Sequence, residues 1–196
     1  PWVEGFVIKE MAALSSSWRK KERLEDYLER HKIVAIQGID TRKLTKTIRT
    51  GGAQRALIST SNDNFKSLLE RVRNIPSIVG LDLVKDVTTS EPYRWREGLY
   101  NWPDGYSTKK KFKHFVVAYD FGIKRNILRS LVSNNVEVHV VPARTDWNEI
   151  LNIKPDGVLL SNGPGDPEPV TYAVHNIKNL IGKVPVFGIC LGHQLL

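Results

Sequence analysis

The chain has 196 residues, 41% of them hydrophobic and 26% charged, which suffices for one large domain or two small ones with a sizeable core. A net charge of +8 and a pI near 9.6 raise the question of nucleic acid, but the basic residues are scattered apart from Arg19-Lys20-Lys21 and Lys109-Lys110-Lys111. With no RNA-binding aromatic motif, zinc finger or helix-turn-helix beside them, the expectation is a solvated basic face or a docking surface for an acidic partner, with no nucleic-acid partner.

In chain order, residues 20–31 place Leu24, Tyr27 and Leu28 on one helical face. Ile33-Val-Ala-Ile36 reads as a short buried strand. Asp40 is a predicted helix N-cap, Leu44 and Ile48 follow one turn apart, and Gly51-Gly52 stops that helix. Ala56-Leu-Ile-Ser59 reads as a further strand. Phe65, Leu68, Leu69 and Val72 keep amphipathic helical spacing until Pro76. Residues 90–113 are rich in turn formers and aromatics without a helical or strand period, and are read as a linker. Beyond them come a strand at 115–119, a helix at 123–134, a strand at 136–141 and a short helix at 146–152. A strand at 157–160, a helix at 168–181 and a strand at 184–187 follow. This strict alternation predicts a parallel sheet with helices on both faces. The predicted organisation is an N-terminal domain over 1–89, the linker 90–113, and a doubly wound domain over 114–196. The net charge lies entirely before residue 114.

No apolar run approaches the roughly 20 residues of a membrane helix, so no membrane partner is expected. The start, Pro1-Trp-Val-Glu-Gly5, has neither a signal-peptide pattern nor a methionine, and the chain is read as a piece of a longer protein, truncated at both ends. The lone cysteine, Cys190, excludes an internal disulfide and a Cys-rich metal site, and points to a reducing, cytoplasmic setting.

Ligands of an open parallel sheet bind beyond the carboxyl ends of its strands. Three loops leave that edge: Asp120-Phe-Gly122, Ser161-Asn-Gly-Pro-Gly-Asp-Pro167 and Gly188-Ile-Cys-Leu-Gly-His193. The third has the Gly-x-Cys-x-Gly spacing of a nucleophile elbow between strand and helix. Gly188 and Gly192 fit a turn too tight for side chains. Cys190 then stands at a helix N-terminus, whose positive end favours an anionic sulfur, and the Leu191 N–H is free for a developing oxyanion. The second loop reads equally as a plain turn, with Asp166 capping a helix and Pro167 at its first position. It lacks the Gly-Lys-Ser/Thr of a phosphate loop. His193, three residues after Cys190, is expected to point along the helix flank rather than act as base. His31, His114, His139 and His175 are read as structural or surface residues. The residues alone thus reach a cysteine suited to acyl transfer, with no base in view and no substrate named.

Pro185-Val-Phe-Gly-Ile-Cys-Leu-Gly-His-Gln-Leu-Leu196 resembles the nucleophile segment of class I glutamine amidotransferases, and Leu160-Ser-Asn-Gly-Pro-Gly-Asp-Pro167 their oxyanion loop. Within that family, four other segments resemble carbamoyl-phosphate synthetase small subunits: Gly38-Ile-Asp-Thr-Arg-Lys-Leu-Thr45, Gly52-Ala-Gln54, Asp82-Leu-Val-Lys-Asp-Val-Thr88 and 118–128. The resemblance covers essentially the whole chain. It implies an α/β protein, with part of the small subunit's N-terminal domain followed by an incomplete class I amidotransferase domain. It also implies that Cys190 attacks the side-chain amide of L-glutamine, that Gly163 and Leu191 supply oxyanion N–H groups, and that Gly165 and Gln194 contact glutamine. Ammonia would pass to a large subunit, the partner, which carries the ATP and Mg sites. No cofactor or metal is expected on this chain. The family's glutamine-holding serine is implied before Pro1 and its catalytic His and Glu after Leu196, so these 196 residues alone are expected to be inactive. Other readings are a different class I amidotransferase, a catalytically silent binding relative, and a basic nucleic-acid binder.

Overall fold

The computed structural model describes residues 3–61 and 64–196. Pro1 and Trp2, on which the reading of the N-terminus partly rests, lie outside them. The chain divides into two compact units, Pro1–Ser77 and Ile78–Leu196.

The first unit holds β1 (Gly5–Val7), α1 (Leu24–Arg30), β2 (Val34–Ile36), α2 (Thr41–Gly51) and α3 (Phe65–Asn74). β1 and β2 pair in parallel. The capping expectation for α2 holds. The Asp40 carboxylate accepts the Lys43 N–H, and Gly52 ends the helix at φ 74°. Asn64 caps α3 in the same way through the Ser67 N–H. Two expectations fail. Residues 56–59 form no strand; Ala56, Leu57 and Ile58 line a cleft with Gly5, Val7 and Val34 instead of joining that ladder. β2 is not buried, with Ile36 exposed, and the Leu44–Ile48 face of α2 is exposed too. Leu28 alone is fully buried among the described residues of this unit, so periodicity found the helices here but not a core for them to cover.

The second unit holds α4 (Val84–Val87), β3 (Tyr93–Trp95), β4 (Glu97–Asn101), β5 (Gly105–Thr108), β6 (His114–Asp120), α5 (Arg125–Ser133) and β7 (Val136–Pro142). α6 (Trp147–Asn152), β8 (Gly157–Leu160), α7 (Thr171–Leu180), β9 (Val186–Gly188) and α8 (Leu191–Leu195) follow. The five-stranded sheet runs β3-β7-β6-β8-β9, with every pair parallel except β3–β7. Leu128 and Val132 of α5 pack with Ala118, Val138, Val140 and Leu159 on one face. Ile150 of α6, Ile177 and Leu180 of α7, and Leu191 and Leu195 of α8 pack with Val117, Tyr119, Val158 and Leu160 on the other. This is the doubly wound layering that the strand–helix alternation predicts.

The segment 90–113, read from the sequence as a linker without a strand period, carries three strands. β3 adds an antiparallel edge to the main sheet, pairing Tyr93, Arg94 and Trp95 with Val140, His139 and Val138. β4 and β5 form a hairpin. Arg129 of α5 holds that hairpin, its Nε 2.7 Å from Glu97 Oε1 and its guanidinium 4.1 Å from the Tyr106 ring centroid. The segment's aromatics are divided between the main-sheet core, which takes Tyr93, Trp95 and Phe112, and the hairpin, where Tyr100 and Tyr106 meet edge to face, so no single period shows. No helix among the described residues is long and apolar enough to cross a membrane.

Candidate active site

The parallel register aligns Tyr119, Leu160 and Gly188 across three neighbouring strands. The loops after them therefore leave the sheet at one level. The chain passes from β6 to β7 on one side, then over β6 to β8 on the other. That reversal is the switch point where α/β sheets open a crevice. All three sequence-predicted loops meet there.

The elbow is as tight as its glycines require. A Cβ on Gly188 would stand 2.5 Å from Gly192 O, and one on Gly192 would run into the carbonyl oxygen of Leu160. The Ile189 N–H donates to Leu160 O, and the Gly192 N–H to Ser161 O, stitching the turn to the end of β8. Between them Cys190 is forced to φ 53°, ψ −112°, a left-handed φ that L-residues avoid. Its side chain is exposed. The carbonyl of Cys190 accepts from His193 N and Gln194 N, closing the first turn of α8. Leu191, the first residue of that helix, has no intrahelical acceptor for its N–H.

Gly163 packs against this turn. A Cβ there would stand 2.6 Å from Leu191 Cδ2 and would run into the carbonyl oxygen of Phe121. Only glycine lets the backbone of 162–164 lie in this crevice. Neither the Gly163 nor the Leu191 N–H donates to a protein acceptor among the described residues. Gly165 is exposed, at φ 83°, with Leu83 Cδ1 3.3 Å from where its Cβ would be. Gln194 is exposed, one helical turn after Cys190.

The expected helix cap at Asp166 is a correction. α7 begins at Thr171, not after Pro167. Asp166 instead accepts the Glu168 and Gly80 N–H groups, and these bonds, the Glu168 one first, hold its carboxyl below the usual carboxylate range.

Sequence reading assigned no role to Asp120, Ser161 or Asn162, although each stands at the predicted carboxyl end of a strand. Asp120 is buried, and its carboxylate accepts from Gly122 N and Ile123 N through Oδ1 and from Thr89 N through Oδ2. Substituting Asp120→Ala leaves three backbone donors without this acceptor. The expected loss is at least about 3 kcal/mol of stability, read from the denaturant midpoint. A loss under about 1 kcal/mol would show that water replaces the carboxylate.

Among the described residues no base accompanies the thiol. His193 is exposed and makes no side-chain hydrogen bond to Cys190 among the described residues. His31 lies tilted against the Tyr27 ring, His114 faces Asp156, His139 lies in β7 and His175 in α7. No group of His, Cys, Asp and Glu among the described residues could hold a metal ion. The arrangement thus offers an exposed thiol on a strained turn, beside backbone N–H groups free to bind an anionic oxygen.

Comparison with known proteins decides the family. Residues 117–196 match the model for glutamine amidotransferase class-I, and residues 1–58 match that for the carbamoyl-phosphate synthase small chain, CPSase domain. The chain belongs to the carbamoyl-phosphate synthase small-chain family. It is 54% identical over 197 residues to the carbamoyl phosphate synthase small chain of Syntrophotalea carbinolica, covering 100% of this chain and 52% of that one. It is 48% identical to the protein of that name from Escherichia coli O6:H1, over 98% of this chain and 52% of that one. The corresponding protein of Thioalkalivibrio sulfidiphilus is 47% identical, over 98% and 51%. The chain spans about half the length of the curated relatives it matches. Family and fold are those the sequence motifs suggested.

Proposed function

We propose that the chain carries the nucleophile half of a glutaminase, the small subunit of a carbamoyl-phosphate synthase. Cys190 Sγ attacks the side-chain amide carbon of L-glutamine and forms a C–S bond. The carbonyl oxygen becomes an oxyanion, met by the N–H groups of Gly163 and Leu191. Collapse breaks the C–N bond and releases ammonia, leaving a γ-glutamyl thioester. Water then cleaves the thioester to glutamate and returns the thiol. Gly165 and Gln194 flank the bound glutamine.

The proton transfers need a base that the described residues do not supply, so these 196 residues alone are expected to be inactive. In the complete protein the ammonia passes to a cytoplasmic large subunit. That partner uses two ATP and bicarbonate to make carbamoyl phosphate for pyrimidine and arginine synthesis.

The observation that supports this reading is the close approach of Gly163 to the Leu191 side chain, with neither N–H donating to a protein acceptor among the described residues. The test is a glutamine-like chloroketone added to the complete small subunit with its large subunit. Expected are one label per chain on Cys190, protection by glutamine, and loss of glutamate release. Labelling elsewhere, or no glutamate release before treatment, would sink the reading.

A further inference from the structure

The peptide joining Asn162 to Gly163 is gripped from two directions. The Ser161 side chain is fully buried, and its Oγ donates to the Asn162 carbonyl at 2.8 Å while accepting the Phe121 N–H at 2.9 Å. The Asn162 carboxamide spans the loop after β6. Its Nδ2 donates to Gly122 O at 2.9 Å and its Oδ1 accepts the Lys124 N–H at 3.1 Å. That loop is itself fixed, because Asp120 holds the Gly122 and Ile123 N–H groups.

A trans peptide is planar, and its C=O and N–H point in opposite directions. Whatever holds the carbonyl of Asn162 therefore aims the N–H of Gly163. With Ser161 bound to that carbonyl, the N–H is turned away from Ser161. A flip of the peptide would break the Ser161 bond and leave the hydroxyl, buried, without its acceptor.

We infer that Ser161 and Asn162 are positioning residues, which fix the Gly163 N–H in the orientation an oxyanion needs. Neither is required to touch substrate. The inference rests on the glutaminase reading of Cys190. It explains why a serine and an asparagine, rather than any two turn formers, precede the glycine. Ser161 Oγ ties the turn to β6 and sets the peptide plane, and Asn162 stops that plane from rocking.

The experiment compares wild type, Ser161→Ala and Asn162→Asp in the complete small subunit with its large subunit. Glutamate release gives kcat and KM, and iodoacetamide alkylation of Cys190 reports the thiol alone, since that reaction forms no oxyanion. For Ser161→Ala, kcat is expected to fall about ten- to a hundredfold, with KM and the alkylation rate each within about threefold of wild type. Asn162→Asp keeps the acceptor for Lys124 N–H but loses the donor to Gly122 O, and is expected to show the same split to a smaller degree. It carries the test if Ser161→Ala does not fold. Wild-type kcat in the folded variants would overturn the inference, and so would an alkylation rate falling in step with kcat. A wild-type protein that releases no glutamate would overturn the glutaminase reading and this inference with it.

Discussion

Gly163→Ala is expected to lower the kcat of glutamine hydrolysis by about 10²–10³-fold in the complete enzyme. The cause is steric. The added methyl would overlap Phe121 O, stand 2.6 Å from Leu191 Cδ2, and sit 3.0 Å from Phe121 Cβ. Phe121 and Leu191 are both buried in the packed core, so neither can yield cheaply. The backbone of the 161–167 loop must move instead, and it takes the Gly163 N–H with it. A displacement on the order of 1 Å suffices to lose most of an oxyanion contact. The same change at Gly182 serves as control. Unlike Gly163 it has a positive φ, 80°, and nothing lies within 4 Å of its Cβ position, so the change there should cost stability through backbone strain alone. Equal loss of kcat in the two variants would show that the crevice contact is not what matters.

Cys190→Gly should abolish chloroketone labelling and yet raise stability by about 1 kcal/mol. A non-glycine residue held in a sparsely populated region costs about 1–3 kcal/mol, and Cys190 sits at φ 53°, ψ −112°. Glycine removes that cost but loses about 0.5–1 kcal/mol of chain entropy on folding. The balance favours glycine. Cys190→Ala keeps the Cβ and the strain, so it should lose labelling without the gain. The pair separates strain from the loss of sulfur. Glycine and alanine variants with the same denaturation midpoint would mean that the turn holds no strain at Cys190. The strain has a structural source, since the Ile189 and Gly192 N–H bonds to Leu160 and Ser161 leave the residues between them no room to relax. It lifts the thiol out of the turn into solvent.

Both predictions arise at positions that a sequence reader can find. Gly188, Gly192 and Cys190 stand at fixed spacing between a β-branched strand and an apolar helix. The strand–helix alternation beyond residue 114 is local, and each element carries its own period. The sheet, its two covered faces and the three loops at its carboxyl edge follow from that alternation with little help from distant contacts. The caps at Asp40 and Gly52 are legible for the same reason, since each satisfies backbone groups within a few residues of itself.

Other features depend on partners far away in the chain. Tyr93–Trp95 is a strand because residues 138–140 supply the ladder, and three residues carry too little period to announce it. Ala56–Ser59 has strand-like composition but finds no ladder, so composition misleads there. The apolar side of α2 has helical spacing, yet burial needs a second surface, and spacing cannot say whether one is present. Ser161, Asn162 and Asp120 look like ordinary turn polars in the sequence. The work of Ser161 and Asn162 is visible only once β6 and β8 lie side by side and bring residues about forty positions apart within hydrogen-bonding reach. The sequence by itself determined the Gly-x-Cys-x-Gly turn around Cys190 and the layered α/β sheet, because those rest on local sterics and periodicity. The tertiary structure alone decided how the Gly163 peptide is aimed, because that orientation is set by side chains from one loop bonding the backbone of another.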